Sequence, residues 1–327
     1  MKLGTIITAF FLCAGTFASC THESIMDQEK DEVANLSVVF AVGEMKTKTD
    51  YTHPDSNETL VNEFFVALYD TNNNFIDSKV VKDAKSSETV TDQDSKNTPA
   101  YSVNFENIRI GKTGKNVYAV VVANSGLTTL KAGSDIPANT SVTTTTFTPA
   151  ALVKAGKSET VTLSTPSTAT NNKPTRITVP MTQLSARIDF MGVTVENSTF
   201  TPTNLTLSGG NAKTLVSIYY NNDVENTEYM NLDNVSKSWS KEGAASFYTY
   251  EYKPGLSLSL TITGKFSGTS QSKTLNLDVT QLLATKDLIL TKGHLYKITG
   301  KYVPAIHPTI VWSVEDWESG ESNVTFH

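Results

Sequence analysis

The sequence predicts an all-β protein in which two β-sandwich domains in tandem follow an N-terminal export signal. Apolar residues recur at every second position in many short segments, which is the pattern of half-buried strands. Turn residues separate these segments, and helix signals are few and short. The chain has 327 residues, enough for about two domains of roughly 150 residues each after the signal is removed.

The first residues have the three-part pattern of a secretory signal, and we assign residues 1–19 to it. Lys2 supplies the charge, residues 3–14 are apolar, and small residues lead to Cys20. The apolar run is shorter than the roughly 20 residues that a transmembrane helix needs. The ending Phe17-Ala18-Ser19-Cys20 resembles the lipobox of bacterial lipoproteins, whose cysteine is lipidated and begins the mature chain. The alternative is a plain secreted protein with a chance cysteine.

Cysteine usage supports lipid attachment. Cys13 lies inside the signal, so the mature chain has Cys20 and no second thiol with which to form a disulfide. Residues 20–34 are acidic, which predicts a solvated tether. This tether also resembles the acidic signal that sends lipoproteins of Bacteroidetes-type bacteria to the outer face of the outer membrane. A plain linker is the alternative.

The charge balance narrows the class of partner. The formal net charge is −6, and loss of Lys2, the one charged residue of the signal, makes the mature chain −7. An acidic chain is a poor ligand for nucleic acid and for anionic lipid. The chain has three arginines, Arg109, Arg176 and Arg187, which disfavours clamps for phosphate or carboxylate.

We assign residues 35–180 to the first sandwich domain. Its first strand is predicted from Asn35 to Met45, where Leu36, Val38, Phe40 and Val42 alternate. Further strands are predicted at three other places, and residues 70–74 predict the turn of a hairpin. Those strands are Phe64–Tyr69, Tyr101–Phe105 and Val117–Val122. Residues 77–99 are polar and predict a long loop, whereas residues 148–156 predict a short helix ended by Gly156.

We assign residues 181–327 to the second sandwich domain. Because proline cannot lie in a central ladder, the apolar run from Arg176 to Phe190 is divided at Pro180. Alternation then returns in several segments with turn residues between them. Those segments contain Leu205–Leu207, Leu256–Ile262, Leu275–Val279 and Tyr296–Tyr302.

Taken together, these features resemble the fimbrillin family of Bacteroidales, the major and minor fimbrial subunits. The matching segments are the lipobox at Cys20, the strand Asn116–Asn124, the junction Val179–Ile188 and the ending Val311–Trp317. The resemblance implies two transthyretin-like β-sandwich domains, exported as a lipoprotein precursor to the cell outer membrane. It also implies that a surface protease removes the first strand and that a strand of the next subunit fills the groove.

The replacement of the first strand by a strand of another subunit has a physical basis. A sandwich that lacks one strand exposes two backbone edges and an apolar groove, which another chain can fill by β-augmentation. A head-to-tail contact of this kind does not close, so it propagates as a filament. The expected partners are other fimbrial subunits, the outer membrane through the lipid on Cys20, and a surface ligand on a host or bacterial cell. The alternative is an ordinary first strand that never leaves.

One feature departs from the family pattern, in which cleavage near the first strand is arginine-specific. No arginine occurs between Cys20 and Arg109, so we predict cleavage after Lys46 or Lys48. At the other end of the chain, residues 309–327 are the candidate donor segment. Ile310, Trp312 and Val314 share one face there. The alternative is that this segment completes its own domain.

Catalytic chemistry is not predicted, and neither is a cofactor. The five histidines lack metal-ligand spacing. Asp70, Asn72 and Asn74 imitate a calcium loop without its glycine or its bidentate glutamate, so they predict a turn. The second functional reading is a monomeric surface lipoprotein that binds glycans for nutrient capture. Its aromatic platform would combine Trp239 with Tyr248, Tyr250 and Tyr252.

Overall fold

The predicted all-β class is confirmed. The computed structural model of the chain describes residues 32–42, 57–91, 97–127, 132–136, 140–164, 173–195, 198–216, 227–239, 245–251, 256–303 and 309–317. Within these ranges the chain forms twenty β-strands, one α-helix and one turn of 3-10 helix. In this part of the chain no helix is both long enough and apolar enough to cross a membrane.

Two facing sheets form the first sandwich. One sheet has the strand order β10-β1-β5-β4, and the other has the order β11-β8-β6-β2-β3, with β9 also paired to β6. The strands of this half are β1 (Val33–Ala41), β2 (Phe64–Asp70), β3 (Phe75–Val81), β4 (Glu88–Thr91), β5 (Asn97–Arg109), β6 (Lys115–Ala123), β7 (Thr140–Thr143), β8 (Lys154–Lys157), β9 (Val161–Leu163), β10 (Thr175–Pro180) and β11 (Thr182–Gln183).

The core of the first sandwich follows from the period of two along its strands. Leu36, Val38 and Phe40 of β1 alternate into the same core as Val66 and Leu68 of β2, and all five are buried. Strand β6 is buried on both faces, because the outer face of its sheet is covered as well. The predicted central strand Val117–Val122 is therefore confirmed.

The second sandwich is formed by one eight-stranded sheet whose strands share a single apolar core. Its strand order is β18-β17-β13-β12-β19-β20, with β15 paired to β13 and β16 paired to β12. Its elements are β12 (Ser185–Val195), β13 (Ser198–Ser208), β14 (Lys213–Val216), β15 (Val235–Ser238), β16 (Ala245–Tyr250), β17 (Ser259–Phe266), β18 (Lys273–Asp278), α1 (Val279–Ala284), β19 (Leu295–Val303) and β20 (Thr309–Trp317).

The two halves also pair directly. Strand β14 leaves the second half and pairs with β7 of the first half in a separate two-stranded sheet. Residues 32–327 together form one compact unit. The division into domains 35–180 and 181–327 stays a prediction.

Three local predictions need correction. The first strand is β1 (Val33–Ala41), which begins two residues before Asn35. The predicted loop over residues 77–99 contains the end of β3, the strand β4 and the start of β5. The predicted helix over residues 148–156 is wrong, because a 3-10 turn at Pro149–Ala151 leads into β8. Lys154–Lys157 pair with the edge of β6 opposite β2, and this pairing overrides the local helix signals.

Gly156 has a role other than ending a helix. A Cβ atom on it would lie 2.0 Å from the carbonyl oxygen of Pro180. Glycine is therefore required where the chain crosses β8 on its way from β10 to β11.

Candidate functional site

The candidate functional site is the place of β1 in its sheet. Strand β1 lies between two partners, running parallel to β10 from Leu36 to Ala41 and antiparallel to β5 along its whole length. Among the described strands, β10 pairs with β1 alone. Removal of β1 would therefore leave two unpaired backbone edges facing each other across a gap one strand wide.

The inward side chains of β1 fill this gap. Leu36, Val38 and Phe40 have no exposed surface, and burial of each such side chain contributes about 1.5–3 kcal/mol. The Phe40 ring lies edge-on to Phe64 with 4.9 Å between ring centroids, and it stacks on Tyr101 at 5.5 Å. A strand that replaced β1 would need an apolar residue at every second position, with a large one at the Phe40 end.

A short segment, residues 57–63, borders this site, and we call it the 57–63 segment. Val61 packs in the same core as Phe40, and its backbone N–H donates to the Tyr101 hydroxyl at 3.3 Å. Asn62 donates its backbone N–H to the Asn124 side chain at 2.8 Å. The segment therefore holds Tyr101, one of the two rings that contact Phe40.

Lys154 is buried beside the 57–63 segment. Its Nζ donates to the carbonyl oxygens of Leu60, at 3.0 Å, and Leu152, at 2.9 Å. Two acceptors match the two N–H groups of a neutral amine. Burial lowers the pKa of Lys154 to about 7, with the nearby charge of Glu58 opposing the shift.

The titration of Lys154 predicts a pH dependence of stability. In the unfolded chain the amine keeps its proton up to the ordinary lysine pKa of 10.5, whereas in the folded chain it loses the proton near pH 7. Unfolding therefore takes up a proton between these values, and the free energy of unfolding should rise with pH by about 1.4 kcal/mol per unit. Lys154→Met should remove this slope, as measured by urea unfolding at pH 7, 8 and 9.

The difference in slope between the two proteins is the quantity to compare, because Lys154→Met also removes two hydrogen bonds. The Asn124 side-chain N–H groups still donate to both carbonyls. The window stops at pH 9, because tyrosines of the unfolded chain begin to lose their protons as the pH approaches their ordinary pKa near 10. Burial raises the pKa of Tyr69, Tyr248 and Tyr250 in the folded chain, so at higher pH these groups would add a slope of the opposite sign. Parallel curves for the wild type and Lys154→Met would contradict the prediction.

The candidate donor segment begins with β20, the last strand that the structure describes. Strand β20 pairs with β19 over all nine of its residues and, among the described strands, lies at the edge of its sheet. Val314 is buried in the second core, and Ile310 and Trp312 pack against it, as the sequence predicts for one face. In this structure β20 therefore completes its own sandwich.

One glycine in β19 leaves room for a large side chain of β20. Gly300 of β19 lies directly opposite Trp312, and a Cβ atom on Gly300 would lie 2.7 Å from the Trp312 ring. The Trp312 indole therefore covers Gly300 across the strand pair, and any larger residue at position 300 would displace the indole.

Gly300→Ala is therefore expected to loosen β20 selectively. Overpacking of this kind costs about 1–3 kcal/mol, so amide exchange across residues 309–317 should accelerate by about tenfold or more. Hydrogen exchange with mass spectrometry measures the effect. Gly264→Ala is the matched control, because its Cβ would meet Phe200 at 2.5 Å and loosen β13 and β17 instead. Equal effects of both variants on β20 would contradict the prediction.

Cys20, Lys46 and Lys48 lie outside the described residues, as do residues 318–327 of the candidate donor segment. Lipidation and cleavage therefore stay predictions. The turn predicted at residues 70–74 is confirmed. The Asp70 side chain accepts hydrogen bonds from the backbone N–H groups of Asn72 and Asn74. Among the described residues, no group of three or more His, Cys, Asp or Glu side chains is arranged to hold a metal ion.

The aromatic platform of the glycan-binding hypothesis is not formed by the residues that the structure describes. Tyr248 and Tyr250 are buried, with 4% and 0% of their surface exposed. Trp239 packs against Phe190 of the second core at 5.4 Å, and Tyr252 lies outside the described residues. Tyrosines on one face of a strand here serve packing and not an exposed ligand surface.

Comparisons with solved structures find the same fold in other proteins. A fimbrial assembly protein from Parabacteroides distasonis is similar over 87% of this chain and 96% of its own, with a TM-score of 0.59 and 21% identity. A second protein from the same species, which has been assigned to cell adhesion, covers 88% of this chain and 98% of its own. Its TM-score is 0.55 at 13% identity. The chain shares the fold of these proteins.

A protein from Bacteroides eggerthii, also assigned to cell adhesion, supports the same conclusion. It covers 88% of this chain and 96% of its own, with a TM-score of 0.52 and 15% identity. No protein-family model matches the chain, and no curated protein does. The resemblance to fimbrillins that the sequence predicts is thus confirmed at the level of the fold.

Proposed function

We propose that this chain is a structural or adhesive subunit of a cell-surface fimbria and has no enzymatic activity. The observation that carries the proposal is the position of β1 between β5 and β10, with a fully buried apolar face. A strand in this position can be exchanged for an equivalent strand from another subunit. The fold shared with a fimbrial assembly protein supports the same function.

The proposal extends to export and assembly. The chain would reach the outer membrane as a lipoprotein anchored through Cys20, and cleavage after Lys46 or Lys48 would release β1 together with its anchor. A strand from residues 309–327 of the next subunit would then fill the gap. The position of β20 at the edge of the described sheet favours this donor, because an edge strand has one neighbour to leave.

Gel electrophoresis of unboiled cell-surface material tests the assembly. Donor-strand contacts resist SDS because a whole strand pairs on both edges, so we expect a ladder of oligomers that boiling collapses. Deletion of Thr309–His327 should abolish the ladder. Deletion of residues 318–327 alone distinguishes two donors: the ladder should persist if β20 is the donor strand and should disappear if the donor lies beyond β20. A wild-type protein that runs as a monomer and is retained on glycan affinity gels would favour the glycan-binding alternative.

A further inference from the structure

Strand β12 of the second sandwich is buried on both faces, although only one of them is apolar. Ala186, Ile188 and Phe190 point into the second core. Arg187 and Asp189 alternate with them on the opposite face and have no exposed surface. Because strand side chains alternate, something outside the second core must cover this polar face.

Arg187 is the centre of a buried ion cluster on that face. Its guanidinium binds Asp189 through two nitrogens, at 2.7 and 2.8 Å, and donates to the Ser246 hydroxyl at 2.9 Å. Lys297 of β19 lies opposite Asp189 in the strand register. Burial opposes the charge on Arg187, but Asp189 and Glu58 outweigh this effect and raise its pKa.

Glu58 covers the polar face from the first half of the chain. Its Oε1 accepts from Arg187 at 3.1 Å and from the Tyr248 hydroxyl, and the glutamate is 5% exposed. Charge-assisted hydrogen bonds in a buried site are among the stronger polar contacts in proteins. Glu58 belongs to the 57–63 segment, which Lys154, Asn124 and Tyr101 attach to the first sandwich.

We propose that the 57–63 segment is a fastener that remains on both sandwiches after β1 has been removed, with Glu58 as its contact to the second sandwich. This inference rests on the proposed function, since it supposes that the chain before the segment is cut. Residues 49–57 are all that separate Lys48 from Glu58. The fastener would therefore hold the new N-terminus of the mature subunit.

The topology shows why a fastener is needed at this place. Loss of β1 removes the only strand partner of β10 among the described strands. Strand β10 leads through the two residues of β11 directly into β12, where Arg187 lies. Glu58 holds β12 from a segment that does not depend on β1 for backbone pairing. The second sandwich would thus keep its place while the groove is empty.

Cleavage at a chosen site tests the fastener without a surface protease. A specific protease sequence replaces Lys46–Lys48 in the full chain, and amide exchange is followed before and after the cut. With Glu58 present, exchange in β10 should accelerate on cleavage while the 57–63 segment and β12 stay protected. In Glu58→Gln, the 57–63 segment and β12 should both exchange at least about tenfold faster after cleavage, as expected when a hydrogen bond to a charged group is lost.

Glu88→Gln is the matched control, because Glu88 pairs with Arg176 at the surface. If Glu58→Gln does not fold, Tyr248→Phe is used as the test variant, because it removes a single hydrogen bond to Glu58. Exchange in the 57–63 segment and β12 that is as slow in the tested variant as in Glu88→Gln would overturn the inference. So would opening of the segment with Glu58 intact. Neither result bears on the oligomer ladders, which test the proposed function separately.

Discussion

Phe40→Ala is expected to lower the free energy of unfolding of the precursor by about 3–5 kcal/mol, the range for removal of a fully buried aromatic side chain. Phe40 has no exposed surface, and it contacts the rings of Phe64 and Tyr101. The cavity would lie between the two sheets, where neither can move inward without losing its own contacts. Urea denaturation of the purified, unlipidated precursor measures the loss.

Val33→Ala provides the control for Phe40→Ala. Val33 begins the same strand, but 39% of its surface is exposed, so its truncation should change stability by about 0.5 kcal/mol or less. If β1 leaves during maturation, Phe40→Ala should also leave the stability of assembled material unchanged, because Phe40 is no longer part of it. A loss below about 1 kcal/mol in the precursor would contradict the role of β1 in the core.

Arg187→Met is expected to destabilise the chain by about 3–5 kcal/mol, because two buried carboxylates lose the guanidinium that they share. Methionine keeps much of the apolar length of arginine but donates no hydrogen bond. Urea denaturation at pH 7 measures the loss.

Arg176→Met is the matched control for this substitution. Arg176 forms an ion pair with Glu88 at 2.5 Å, but the two side chains are 42% and 37% exposed. Exposed pairs contribute about 1 kcal/mol or less. Equal losses in Arg187→Met and Arg176→Met would show that the buried cluster does not hold the two halves together.

The strands were predictable where alternation is local. Leu36, Val38 and Phe40 indicate a buried face without reference to any other part of the chain, and the structure buries all three. The helix predicted near Pro149 does not form, because the edge of β6 is available to pair with Lys154–Lys157. That edge lies more than thirty residues away in sequence, so local signals could not report it.

The buried cluster was not predictable for the same reason. Alternating polar residues such as Arg187 and Asp189 ordinarily indicate a strand face exposed to water. Glu58, which covers them, lies 129 residues earlier in the sequence. The spacing of Arg187 and Asp189 on one face was the available signal, and it becomes meaningful only when a third charge is known to meet them.

The N-terminus of the mature protein on the cell surface is the decisive measurement for strand exchange at β1. Surface-shed material is expected to begin immediately after Lys46 or Lys48 and therefore to lack both Cys20 and β1. Replacement of both lysines by glutamine should then leave the precursor uncut and abolish the oligomer ladder. Mature protein that still begins at Cys20 would contradict strand exchange at β1 and would make the chain a permanently anchored surface protein.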